Sequence, residues 1–222
     1  MANVTVKHMT DLAADVLQDD EDNEHWSLTK LINWYNMAGR KIVQLRPDAN
    51  AVLEAIKLAS GVKQSIPARG MAFVGANRNM GTDGLTLGDA IHMSTLDIIN
   101  AFDTSWITDT AAATILNAMP DRANPTAFWV YPASDGTPYI EIEFSQAPES
   151  VVYDSDGDWE SNLVTVGEGF VNAVLNLMLC FAYQKDSDYP GNAQRSAGYY
   201  NMALQDLGLP QGAQQGQKGG TT

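Results

Sequence analysis

Apolar positions recur at helical spacing at both ends of this chain and lose that spacing in the middle. Near the N-terminus, Val6, Met9, Leu12, Ala13, Val16 and Leu17 fall on one face, with Thr5 placed to cap the helix they predict. A second stripe, Leu31, Trp34, Tyr35, Ala38, Ile42 and Leu45, predicts a longer helix opened by Ser27. Arg46-Pro47 ends it, because the residue before proline avoids the α region. Towards the other end, Phe170, Val171, Val174, Leu175, Met178, Phe181 and Ala182 recur at three and four, and Ser187–Pro190 breaks that pattern. A last helix is expected from Gly191 to Leu207, with Ala197, Tyr200, Leu204 and Leu207 turned inward.

Between these ends the period changes. Val52, Ile56 and Leu58 fit a strand, and Ser60-Gly61 a turn into Val62–Ile66. Gly70–Gly88 holds five glycines and is expected to be loop, with a short element at Met71–Ala76. Short elements are also expected at Ala90–Met93, Thr95–Ala101 and Thr114–Met119. The clearest strand pattern lies in Ala127–Tyr131 and Tyr139–Phe144, where Ile140, Ile142 and Phe144 alternate with Tyr139, Glu141 and Glu143. With Pro132–Pro138 between them, the two segments read as a hairpin. The fold class is therefore α+β: a four-helix core from residues 1–50 and 160–208, an inserted antiparallel β region over 51–159, and a flexible C-terminal arm over 209–222. That arm is rich in Gly and Gln, with too little apolar content to order itself through a core.

Composition adds one outlier. The 222 residues are 45% hydrophobic and 18% charged, ordinary for a globular chain, yet 27 acids against 13 bases give a net charge of −14. Such a chain is a poor phosphate-backbone binder and would repel DNA at close range. The charge is also uneven. Lys30 to Arg78 carries eight bases and two acids, whereas Asp135 to Asp206 carries twelve acids and two bases. One basic and one acidic flank would suit head-to-tail contacts between copies. The lone cysteine, Cys180, excludes an intrachain disulfide and sits in an apolar helical run. No basic-then-apolar leader opens the chain and no apolar run is long enough to span a bilayer, so a soluble protein of a reducing compartment is expected.

Candidate chemistry is sparse. His8, His25 and His92 have no metal-ligand spacing to one another or to Cys180. No nucleophile elbow, phosphate loop or zinc-protease motif is present. Asp154, Asp156 and Asp158 begin like a calcium loop, but Trp159 stands where a glycine is needed and Thr165 where a bidentate Glu belongs, so a solvated turn is expected. The acidic run Asp19–Glu24 likewise reads as a solvated loop. Neither a cofactor nor a catalytic residue is proposed.

Four stretches, taken in order, resemble the head-to-tail adaptor (connector) proteins of tailed bacteriophages. They are Trp34-Tyr35-Asn36 through Leu45-Arg46-Pro47-Asp48-Ala49; Leu58-Ala59-Ser60-Gly61-Val62-Lys63-Gln64-Ser65-Ile66-Pro67; Phe128-Trp129-Val130-Tyr131-Pro132; and Ala182–Tyr189 with Asn192, Arg195 and Tyr199-Tyr200. The resemblance implies a virion structural protein without enzymatic activity, made in the bacterial host cytoplasm and placed in the neck between capsid and tail. It implies a ring of twelve subunits that binds the portal protein and a tail tube or nozzle protein. Double-stranded DNA would pass through without specific binding, and no membrane is involved. A tail terminator is the nearest alternative, and an uncharacterised hydrolase a more distant one. Expected subunit-interface residues are Arg40, Lys41, Arg46, Asp186 and Asp188. Glu168, Asp19, Asp20 and Glu21 are expected to face the lumen, and Leu209, Pro210, Gln211, Gln214 and Gln215 to form an arm reaching the portal.

Overall fold

A computed structural model describes residues 4–18, 25–186 and 188–210. Among the described residues, five α-helices and seven strands fall into two compact units, one within residues 1–49 and 148–222, the other within residues 50–147. The expected α+β class holds, with two N-terminal and two C-terminal helices flanking inserted sheets.

In the helical unit, α1 (Val6–Leu17) starts as its sequence predicts: the Thr5 hydroxyl accepts from the His8 N–H at 3.2 Å. Ser27 precedes α2 (Leu28–Leu45) without a side-chain cap bond. α4 (Val171–Lys185) packs against α1, α2 and α5 (Asn192–Asp206). Its buried positions are Ala173, Val174, Leu177, Met178, Leu179, Cys180 and Ala182, so the buried arc runs past the expected stripe and leaves Phe181 half-buried. A helix apolar on most sides gives periodicity little to phase. On α5, Ala203, Leu204 and Leu207 are buried but Ala197 is exposed, correcting the expected inward face.

In the structure the β unit ends at Ala147 and the helical unit resumes at Pro148. Pro148–Ser161 contains no strand, and two of its apolar residues serve the helices: Val151 and Trp159 are buried, and the 3₁₀ turn Asp158–Ser161 packs on α1. Asn36 fastens the segment, donating from Nδ2 to the Val151 carbonyl at 2.7 Å and accepting the Val151 N–H at 2.9 Å. Val6 N–H to Asn162 O and Val164 N–H to Val4 O add a short antiparallel tie that no sequence pattern announces.

The β unit is two stacked sheets. One has the order β1 (Ala51–Lys57), β7 (Tyr139–Gln146), β3 (Gly70–Asn79); the other β2 (Gly61–Ser65), β6 (Ala127–Ser134), β5 (Asn117–Pro120), β4 (His92–Met93). All pairs are antiparallel except the two-residue β4–β5 ladder. The expected hairpin is therefore absent: β6 and β7 are the inner strands of different sheets. Residue chemistry explains why. Phe128 and Val130 of β6 point into the inter-sheet core, where Phe128 stacks on Phe73 at 4.4 Å, while Trp129 and Tyr131 are covered from outside by Trp106. A strand apolar on both faces belongs inside a layered structure, and the Pro132–Pro138 connection carries the chain from one layer to the other.

β3 is the second correction, a ten-residue strand where only a short element at Met71–Ala76 was expected within a loop. Its register against β7 slips between Gly70/Ala72, Phe73/Gly75 and Ala76/Arg78, and each bulge resets the alternation that would reveal a strand. Gly70 is required there, because a Cβ would lie 2.5 Å from Ile66 Cδ1 and 2.9 Å from Phe144 Cδ2. α3 (Leu96–Phe102) is capped by Thr95, whose hydroxyl accepts from the Ile98 N–H at 3.4 Å.

Candidate assembly surfaces

Two buried amides, Gln64 and Asn79, hold irregular backbone in the β unit. Gln64 pairs with both backbone groups of Ala59, accepting its N–H and donating to its carbonyl at 2.8 Å each, and donates also to the Gly61 carbonyl at 2.9 Å. Asn79 does the same for Ile115, accepting its N–H at 2.9 Å and donating to its carbonyl at 2.8 Å. In each case a side chain substitutes for a neighbouring strand and gives these irregular backbone groups partners. Asn36, Gln64 and Asn192 lie within the stretches that carry the resemblance, yet as isolated amides they gave no sign of this role.

Arg40 and Lys41 lie on the outer side of α2, Arg40 exposed and donating to Ser150 Oγ at 2.7 Å, Lys41 half-buried. α2 contains no acidic residue. Arg46, expected with them at an interface, is engaged inside its own subunit. Its Nε and Nη2 donate to the Asp48 carboxylate at 2.8 and 2.6 Å, and Nη1 donates to the Leu207 carbonyl at 2.7 Å. The bidentate hydrogen bonding and the charge pairing raise the Arg46 pKa and lower that of Asp48. Arg46 therefore ties the end of α2 to the end of α5.

Asp186 is also partly engaged: Asn192 Nδ2 donates to its carbonyl at 2.9 Å and to its carboxylate at 3.1 Å. Asp188 is exposed. Beside them, Trp26, Tyr183, Tyr199, Arg195 and Met202 line an open groove of roughly 770 Å³. Tyr183 and Tyr199 stack at 5.6 Å with Arg195 over the Tyr183 ring, and burial pushes the Tyr199 hydroxyl pKa up. Glu168 is exposed in a 3₁₀ turn just before α4. Asp19, Asp20 and Glu21, and Gln211, Gln214 and Gln215, lie outside the described residues; Leu209 and Pro210 come after α5, past Leu207 and Gly208.

Chemistry-bearing clusters are not among these features. Among the described residues no three His, Cys, Asp or Glu side chains converge as a metal site, and no helix is long and apolar enough to cross a membrane. Asp154 accepts the Asp158 N–H at 3.1 Å within its own turn, and burial raises the Cys180 thiol pKa.

Comparison with known proteins adds the identity of the fold family. No curated protein matches the chain. Among solved structures, a chain in the neck of an empty GTA particle computed with C6 symmetry is similar at 14% identity, over 79% of this chain and 80% of that one, with a TM-score of 0.28. The model of the SU10 adaptor protein family matches residues 4–221, nearly the full length. The chain belongs to the SU10 adaptor protein family, a family of structural adaptors and not of enzymes.

Proposed function

We propose that this chain is a virion structural protein of a phage-like particle, a head-to-tail adaptor in its neck. Twelve copies form a ring that joins the portal to the tail tube or nozzle and extends the channel through which the genome is retained and later ejected. The observation that carries this reading is the adaptor-family match across residues 4–221. The surplus of acids supports it, since carboxylates facing a conduit keep passing DNA from adhering. Glu168, exposed before α4, is the described residue assigned to that lining, and Asp19, Asp20 and Glu21 join it in the proposal.

Subunits meet through opposite charge, with Arg40 and Lys41 of one copy facing acids of the next; Arg46 keeps its internal role. The arm begins at Leu209-Pro210, where Leu209 N–H still bonds to the Leu204 carbonyl at 2.8 Å, and continues through Gln211, Gln214 and Gln215 onto the portal. The test is native mass spectrometry and negative-stain imaging of the purified full chain, with virions made without it. Twelve-fold rings, and heads that fail to join tails when the chain is absent, are expected. Six-fold rings would move the assignment to a tail terminator, and a strict monomer dispensable for joining would overturn it.

A further inference from the structure

Opposite charges at a solvated rim contribute little individually, so a ring resting on Arg40 and Lys41 needs apolar surface as well. The β unit offers one. α3 has seven residues and buries Ile99 alone, and a 3₁₀ turn, Trp106–Thr108, follows it. The inward side of this element is firmly built: Trp106 is buried, its Nε1 donates to Asn100 Oδ1 at 2.8 Å, and its ring meets Trp129 and Tyr131 edge-on at 6.3 Å. On the outward side Phe102, Ile98 and Ile107 are 81%, 60% and 56% exposed. Apolar side chains this exposed on a well-anchored element mark a contact surface. Asp97, Asp103 and Asp109 sit among them, and no Lys or Arg occurs between Arg78 and Arg122. Arg122 pairs with Asp97 at 2.9 Å; Asp103 is held by the Ser105 N–H and hydroxyl, each at 2.8 Å.

The complement lies on the same chain. The outer side of α2 presents Lys30, Arg40 and Lys41 without a single acid, and Met37 between them is 48% exposed. The Asp186–Asp188 corner is a weaker counterpart, because Asn192 already holds Asp186. We infer that the α3–Trp106 element of one copy docks on the outer face of α2 in the next copy, with Phe102 and Ile107 against Met37 and with Asp103 and Asp109 towards Arg40 and Lys41. Two different surfaces are joined, so the contact is heterologous and each copy offers one free half of each kind, as a ring requires. The inference rests on the ring reading above and names the contact that builds it.

Cross-linking between two single-cysteine variants tests it. Chains carrying Met37→Cys are mixed with chains carrying Phe102→Cys and oxidised; Cys180 is buried and does not compete. Both substituted side chains are exposed, and circular dichroism checks that each variant keeps its fold. A disulfide-linked pair is expected in the mixture and not in either variant alone. Arg40→Glu with Lys41→Glu should weaken the link, most at low salt, and Asp103→Lys with Asp109→Lys on the partner should restore it. Rings that form without this cross-link would overturn the inference while leaving the ring reading intact. A wild-type chain that never leaves the monomer would overturn both.

Discussion

Asn36 in the helical unit and Asn79 in the β unit perform one task at different depths. Each lends a side-chain amide to the backbone of a distant residue, Asn36 to Val151 and Asn79 to Ile115. Asn36 is half-buried and straps an irregular segment across a core already closed by helix packing. Asn79 is 6% exposed and donates in addition to the Asp89 carbonyl at 3.1 Å, so two separate segments hang on one side chain. Its own backbone extends the tie, with Asn79 N–H to Asp89 O at 2.9 Å and Gly88 N–H to Asn79 O at 2.8 Å. Helices satisfy their own backbone, whereas short strands and long connections must borrow partners. The β unit therefore leans more heavily on its few buried polar groups than the helical unit does on its own.

The largest expected effect follows from that difference. Asn79→Ala strips the buried Ile115 N–H and carbonyl of their partner, and should destabilise the β unit by about 3–4 kcal/mol. Asn36→Ala exposes Val151 to solvent more readily and should cost the helical unit only about 1–2 kcal/mol. Denaturant unfolding of the full chain measures both, with tryptophan fluorescence and helical circular dichroism followed separately because two units need not melt together. Equal losses for the two variants would break the comparison and show that depth is not what sets the cost.

The same contrast explains what could be read in the sequence. The starts of α1 and α2 and the stop at Arg46-Pro47 are local events, written in neighbouring residues, and they were legible. Strand existence was legible for β7, whose Ile140, Ile142 and Phe144 keep strict alternation. Its partners were not, because pairing is decided by distant residues, as in Ala51 opposite Ser145, and the β6–β7 connection imitates a hairpin. β3 escaped because three bulges scramble its phase. At the candidate surfaces, the acid-free run of α2 was visible as charge, but the capture of Arg46 by Asp48 and Leu207 was not, since Leu207 approaches only after α5 packs. The outward Phe102 and Ile107 read in sequence as ordinary apolar residues; only burial shows which of them the chain leaves uncovered.

Arg46, like Asn36, fastens segments of the helical unit with polar bonds. Arg46→Lys keeps the charge but loses the planar fork, so it should retain some attraction to Asp48 and lose the bond to the Leu207 carbonyl. Amide hydrogen exchange at the C-terminal turn of α5 should speed up in Arg46→Lys and further in Arg46→Ala, with the N-terminal half of α5 unchanged. Identical exchange in all three proteins would mean that Ala203, Leu204 and Leu207 hold that turn by packing alone.

The smallest effect is expected in the β unit's Gly81–Thr86 turn, and it concerns pH. Asp83 accepts the Leu85 and Thr86 N–H groups at 2.9 Å each and the Thr86 hydroxyl at 2.8 Å. These donors favour the carboxylate and lower its pKa to about 2. Because the folded value lies below the ordinary one of 3.8, the turn's stabilisation is complete above that ordinary value and disappears as pH falls through about 2. The amide resonances of Leu85 and Thr86 should follow that titration, and Asp83→Asn should flatten it. Salt separates this site from its helical counterpart. Arg46 and Asp48 attract as exposed opposite charges, which added salt screens, whereas Asp83 is held by neutral donors at hydrogen-bond distance and should keep its low pKa at high ionic strength. A salt-dependent Asp83 titration would show that the net negative charge of the chain, and not the turn's own hydrogen bonds, governs that carboxylate.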